Sequence, residues 1–178
     1  MPETFVALEF WRRLGDRKGA AAVEFALLMI PLLGLLLASL QIAMIFLFSE
    51  ELQSVAQKAG RQLMTGAAQS ANLTQAQFAT EVCGMLPAPL QCSNLMIDVQ
   101  SGSSFTSIST TPLTLTYNAS GAVTNTWSYN PGNPGDIVIL RLMYDWPVIG
   151  GILTPGLSNQ PNGSSLMVGT AVFKNEPY

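Results

Sequence analysis

The chain contains no histidine, which removes Ser–His–Asp and Cys–His nucleophile systems and histidine-based zinc sites together. Its two cysteines, Cys83 and Cys92, stand nine positions apart with Pro87 and Pro89 between them. A reactive or metal-binding pair would need a histidine or an acidic cluster nearby, and the sequence supplies neither. In an oxidising compartment such a pair forms a structural disulfide. A carboxylate dyad would have to be built from residues such as Asp136 and Asp145, which fit more simply as strand-end residues. No acidic cluster has calcium-loop spacing, and no glycine-rich phosphate loop follows a strand. Three Asn-x-Ser/Thr triplets, at Asn72, Asn118 and Asn162, are what chance yields in a chain this rich in Ser and Thr. The distinctive chemistry lies near the N-terminus, at Gly19 and at Glu24, the one charge between Gly19 and Ser49. A glycine presents bare backbone that a peptidase can approach closely. A carboxylate at a membrane edge is costly and usually has a partner, although the headgroup region or a helix N-terminus also accommodates one. No catalytic residue, metal site or cofactor is expected.

The element that positions these residues is an apolar helix. Phe25–Ser49 is a run of 25 residues without Lys, Arg, Asp or Glu. At ~1.5 Å per residue it is roughly 37 Å long, enough to cross a hydrocarbon core of about 30 Å with some tilt. Ahead of it, Arg12, Arg13, Arg17 and Lys18 supply four of the chain's eight basic residues. The 20 residues after the run, Glu50 to Gln69, offer only Lys58 and Arg61. The positive-inside rule makes the N-terminus cytoplasmic and the C-terminal part translocated. A cleaved secretory signal fits poorly, because the run is too long and no small-x-small site closes it. Pro31 is tolerable as a kink in a membrane helix. Gly34 with Ala38, and Ala22 with Ala26, have the spacing of close helix packing, and Gln41 and Ser39 are polar enough to bond to a partner helix.

Helical spacing continues beyond the run. Leu52, Val55, Ala56, Ala59, Leu63 and Met64 form one face, and Glu50, Glu51, Gln53, Ser54, Gln57, Lys58, Arg61 and Gln62 the other. Ala20 to Thr65 then makes one rod of about 70 Å, unless it breaks near Ser49. A second short helix is expected over Gln69–Cys83, capped by Asn72 or Thr74. Strand-like runs follow: Leu95–Gln100, Phe105–Ser109, and Leu113–Tyr117 turning through Asn118–Gly121 into Val123–Trp127. Pro131–Gly135 is a loop. Ile137–Trp146 is the strongest strand and Leu166–Phe173 its expected partner, with an exposed Pro147–Gly163 connection. The balance of 8 basic to 11 acidic residues, with no basic patch after the span, leaves a nucleic-acid partner unsupported.

The junction Arg17-Lys18-Gly19-Ala20-Ala21-Ala22-Val23-Glu24-Phe25-Ala26-Leu27, followed by Pro31 and a leucine-rich run, resembles a type IV prepilin processing site. More closely it resembles the TadE-like proteins, pilin-like or minor pilin components of tight adherence (Tad/Flp, type IVc) pilus systems. Gly135–Pro147, a strand after Gly-Asp that ends in an aromatic-rich turn, is similar to that family. So is the closing Ala171-Val172-Phe173-Lys174-Asn175-Glu176-Pro177, where Lys174 stands in place of the more usual Arg. The likeness spares about Gln69 to Asn133. It implies that a prepilin peptidase cuts after Gly19, so that Ala20 becomes the new N-terminus. It also implies that Glu24 pairs with the free N-terminal amine of a neighbouring subunit and sets axial register.

The sequence therefore reads as an α+β, pilin-like protein: a long N-terminal helix carrying a small antiparallel sheet with one disulfide. Its parts are a basic cytoplasmic leader (1–19), a transmembrane helix (20–49), its amphipathic continuation (50–66), a short helix and disulfide loop (67–93) and a β-rich periplasmic head (94–178). The resemblance implies a non-enzymatic minor pilin in the bacterial inner membrane, incorporated into a pilus. The expected partners are the prepilin peptidase, other major and minor pilins, the inner-membrane assembly platform and membrane lipid, with no small-molecule substrate. The first rival is an unprocessed bitopic envelope protein whose head binds a partner. The second is a membrane-anchored enzyme using Asp136 and Asp145.

Overall fold

A computed structural model of the protein describes residues 17–109, 111, 113–149 and 156–177. Everything in it hangs on helix α1, Arg17–Met64, whose 48 residues run unbroken through Pro31 and past Ser49. At ~1.5 Å per residue the rod is about 70 Å long. One stripe along it, Gly34, Ala38, Gln41, Ile45, Phe48, Leu52, Val55, Ala59 and Leu63, is buried or half-buried. Steps of three and four residues keep these positions on one side of a 3.6-residue helix. The first half of the rod is otherwise exposed, as at Leu28 (70%) and Leu35 (69%), whereas Leu52 and Leu63 are sealed in the core.

α1 stops where Gly66 takes a left-handed backbone, φ 74°. Its N–H donates to the Leu63 carbonyl at 3.1 Å and Thr65 N–H donates to Arg61 at 3.0 Å, which satisfies carbonyls a helix end would otherwise orphan. The Met64 carbonyl is met by Glu176 N–H, from the far end of the chain, at 2.9 Å. The helix expected over Gln69–Cys83 is divided in two, α2 (Ala67–Ser70) and α3 (Gln75–Gly84). Asn72, at φ 51°, reverses the chain between them, and Thr74, the second of the two candidates, is the cap. Thr74 Oγ1 accepts from Gln77 N–H at 3.3 Å and Gln77 Oε1 accepts from Thr74 N–H at 2.9 Å, a reciprocal capping box. α3 buries Phe78 and Val82 against the α1 core. Cys83, near its end, is disulfide-bonded to Cys92, which begins the turn into the first strand.

The sheet has three antiparallel strands in the order β1 (Leu95–Gly102), β2 (Ile137–Pro147), β3 (Ser164–Lys174). β2 is central and buried on both faces from Ile137 to Tyr144, so apart from Arg141 it reads as a continuous apolar run rather than an alternating one. Val138, Leu140, Leu142 and Tyr144 join the core built on α1. On the other face Met143 clusters with Met96 and Leu115, and Ile137 and Ile139 with Ile108. That second layer also holds a cross-strand ion pair, Asp98 with Arg141 at 3.6 Å, both side chains buried. Asp98 additionally accepts from Ser128 N–H (3.0 Å) and Gln100 Nε2 (2.8 Å), and Arg141 donates to the Ser109 carbonyl. Those bonds offset the large cost of desolvating two charges.

The covering segment departs from the strands its sequence suggests. Phe105–Ser107 is a 3-10 turn, braced by Ser104 and Ser107. The Leu113–Tyr117 and Val123–Trp127 runs form no strand pair but share an isolated antiparallel bridge, Tyr117 with Val123. The Asn118 turn is where it was expected: its Oδ1 accepts from Ser120 N–H (3.0 Å) and Ala122 N–H (2.9 Å). Farther along, the Asn125 side chain substitutes for a strand, accepting from Thr116 N–H at 2.7 Å and donating to the Thr114 carbonyl at 3.0 Å.

Both sheet edges are blocked, as exposed edges invite aggregation. On β1, Val99 exchanges bonds with Ser128 (2.8 Å) and Asn130 (2.9 Å). On β3, the Asn159 side chain accepts from Leu166 N–H (2.8 Å). The Gln53 side chain, reaching from α1, accepts from Thr170 N–H (2.9 Å) and donates to its carbonyl (2.8 Å). Helix and strand approach so closely here that a Cβ on Gly169 would lie 2.7 Å from the Leu52 carbonyl oxygen.

Candidate functional site

The residues singled out near the N-terminus all fall on the exposed half of α1. Gly19 and Ala20 are exposed in its first turn, and a Cβ built on Gly19 would meet no described atom within 4 Å. A glycine in a helix is about 1 kcal/mol less favourable than alanine, so this terminal turn opens cheaply. Arg17 and Lys18 begin the helix backbone, while Arg12 and Arg13 lie outside the described residues. Glu24 is exposed, one and a half turns beyond Gly19, and pairs with no cation among the described side chains. Around it Val23 (54%) and Phe25 (63%) are exposed as well. The result is a bare apolar rod with one carboxylate close to its end.

Farther along, two polar residues of the run have partners other than the helix expected from sequence. Ser39 Oγ donates to the Leu36 carbonyl of its own helix at 2.9 Å. Gln41, only 7% exposed, bonds to the chain's own head: its Oε1 accepts from Ile149 N–H at 3.0 Å and its Nε2 donates to the Ile149 carbonyl. Just above, Phe48 stacks on Trp146 with ring centroids 5.1 Å apart, and Trp146 leans on Tyr144 at 6.4 Å. The described part of the Pro147–Gly163 connection is largely exposed, as expected, but it is tied to the rod at Gln41.

Asp136 and Asp145 stand at opposite ends of β2, on the order of 30 Å apart at ~3.3 Å per residue, far beyond the reach of a hydrolytic carboxylate pair. Asp136 sits in the turn that enters β2, and Asp145 is one of the last residues of β2. Asp136 accepts from Asn133 N–H at 2.8 Å, and Asp145 accepts from Asn162 Nδ2 at 2.9 Å and from Ser164 Oγ. Among the described residues no group of three or more Cys, Asp or Glu gathers where it could hold a metal ion. Burial raises the Tyr129 hydroxyl above its ordinary value, with Glu81 adding a smaller push, and burial likewise raises Tyr117. Both belong to the packing of the head.

The C-terminal motif has a structural function that its sequence did not reveal. Asn175 is buried and donates to the Pro131 (2.9 Å) and Asn133 (3.2 Å) carbonyls, and its N–H donates to the Asp136 carbonyl at 2.8 Å. With Glu176 on Met64, it ties the loop before β2 and the end of the chain to the end of α1.

Residues 19–61 match the family model described as TadE-like protein. The match starts at Gly19, takes in Glu24 and Gln41, and ends before the sheet begins. No curated protein and no solved structure matches the chain. The long helix thus carries a TadE-like segment, and that likeness points to the Tad pilus system. Its apolar run is long enough to cross a membrane once.

Proposed function

We propose that this TadE-like protein is a minor pilin, or pseudopilin, of a tight adherence type IVc pilus. It is held in the inner membrane by α1 with its head in the periplasm, and a prepilin peptidase cleaves it after Gly19. It then helps to initiate the pilus, occupies its tip or controls its length, without enzymatic activity of its own. One observation carries the reading: a single continuous helix, matched to the TadE-like family over residues 19–61, has an exposed apolar half and a second half that is the spine of the head. Such a chain hands the exposed half of its rod from lipid to neighbouring rods without refolding the head. Cleavage leaves Ala20 as a free amine, and Glu24, with no cation beside it among the described side chains, is the acceptor for the amine of the next subunit. Pairing at a membrane edge favours such a bond, since a lone carboxylate there is costly. Because the known short major pilins of this class lack a head of this size, the chain is placed among the minor components by analogy of fold.

The reading is tested with Glu24→Ala, expressed with the cognate peptidase and pilins. Cleavage continues, but co-purification with partner pilins falls sharply. Normal assembly of the variant would eliminate the charge-pairing role. An unprocessed envelope protein is the rival, and it calls for no cleavage at all.

A further inference from the structure

We infer that the end of β2 and the residues just after it, Trp146–Ile149, are a membrane-seating element: Ile149 enters the bilayer that holds α1, and Gln41 satisfies the backbone that goes down with it. The inference rests on the reading of α1 as a membrane span. Gln41 lies 16 residues beyond Phe25, the first residue of the uncharged run, and nine before Glu50, the first charge after it. At ~1.5 Å per residue it is about 24 Å along the run and about 13 Å short of that charge. That is within a hydrocarbon core of about 30 Å, or at its very margin. Ile149 is fixed to that level by two hydrogen bonds from one side-chain amide.

Non-helical backbone is tolerated at membrane depth only where its N–H and C=O groups find partners in protein. The Gln41 amide supplies both for the same residue, and Gln41 is itself 7% exposed. A glutamine in an apolar run is expensive unless it has such work to do. Ile149, by contrast, is 74% exposed, a large apolar residue open on the side of an apolar, exposed helix. Directly above it comes Trp146, stacked on Phe48, an aromatic of the kind that gathers at membrane–water interfaces. Lipid is therefore the occupant: Ile149 is tied to Gln41, and Leu40, Ile42 and Phe46, near Gln41 on the span, are exposed apolar residues like it. The head does not float on the rod but is set at a fixed height against the membrane surface.

The test uses the full-length chain in vesicles of phosphatidylethanolamine and phosphatidylglycerol, with the Cys83–Cys92 bond kept oxidised. A nitroxide is placed by Ile149→Cys, by Leu36→Cys on the span, or by Val172→Cys on the exposed strand β3. Collisions with oxygen, which concentrates in lipid, are compared with collisions with a water-soluble nickel chelate. The Ile149 label should show an oxygen-to-nickel ratio several-fold above that of Val172 and close to that of Leu36. Adding Gln41→Leu should lower the Ile149 ratio towards the Val172 value while the Val172 label stays unchanged, which shows that the head is still folded. A lipid-like Leu36 with a water-like Ile149 would overturn the seating element and leave the span intact. A water-like ratio at both would overturn the seating element and the membrane reading beneath it.

Discussion

Replacing Gly169 by alanine probes the contact that makes head and rod one body. A Cβ there would lie 2.7 Å from the Leu52 carbonyl oxygen, 2.9 Å from its carbon and 3.1 Å from Gln53 Cα. All three are backbone atoms of a packed helix, so relief requires β3 and α1 to separate by several tenths of an ångström. Overpacking of this kind costs about 1–3 kcal/mol. The movement also loosens the paired Gln53–Thr170 hydrogen bonds, at 2.9 and 2.8 Å, each with a net worth of about 1 kcal/mol. A loss of about 2–4 kcal/mol follows, or a fall in melting temperature on the order of 5–15 °C for a chain of this size. Gly60→Ala is the control. Its Cβ would meet Phe173 Cε1 at 3.1 Å, on a ring that can turn aside, and Ala171 Cβ at 3.0 Å, a milder contact than the 2.7 Å at Gly169 that a shift of a few tenths of an ångström relieves, and alanine regains about 1 kcal/mol of helix propensity. The assay is thermal unfolding of the full-length chain in detergent, followed by tryptophan fluorescence. An unchanged midpoint for Gly169→Ala, or a larger loss for Gly60→Ala, would refute the reasoning.

Gly19→Ala should leave the melting temperature alone, since nothing lies near its Cβ, while blocking maturation as judged by gel mobility. Asp98→Ala strands the Arg141 guanidinium in the second layer and should cost about 3–5 kcal/mol in denaturant unfolding, as loss of one partner of a buried pair does. Cys83→Ser opens a loop of separation nine and should cost about 2–3 kcal/mol by the same measurement, mainly through the unfolded chain. Tyr129→Phe should be neutral or slightly stabilising, because the buried hydroxyl it removes has no hydrogen-bond partner among the described residues. The Tyr129 hydroxyl ionises less readily folded than unfolded, so its share of stability is full below pH 10 and is lost as pH rises through the higher folded value. The phenylalanine variant should therefore lose less stability between neutral and strongly alkaline pH than the parent.

The rod was legible because its apolar positions keep helical spacing from Gly34 to Leu63, and β2 because a central strand is apolar on both faces. The segment from Phe105 to Trp127 was not. Its Thr- and aromatic-rich runs have strand propensity, but Asn125 and the Ser104–Ser107 turn satisfy the backbone with side chains, and such bonds leave no periodic trace. Gln69–Cys83 was read as one helix because propensity says nothing of the reversal at Asn72. Gln41 was visible as a polar residue in an apolar run, but its partner lies 108 positions away. Asp98 and Arg141 likewise become a pair only through strand register. Asn175 was noticed for its likeness to a family ending, and the carbonyls it holds identify what that ending does.

The central claim, that this chain with its TadE-like segment is matured as a pilin, is tested most directly by intact mass. The full-length protein is extracted from membranes after expression with and without its cognate prepilin peptidase. The account predicts a peptidase-dependent species that begins at Ala20. A chain that retains Arg12 to Gly19 under both conditions would contradict it and leave the protein an unprocessed membrane anchor.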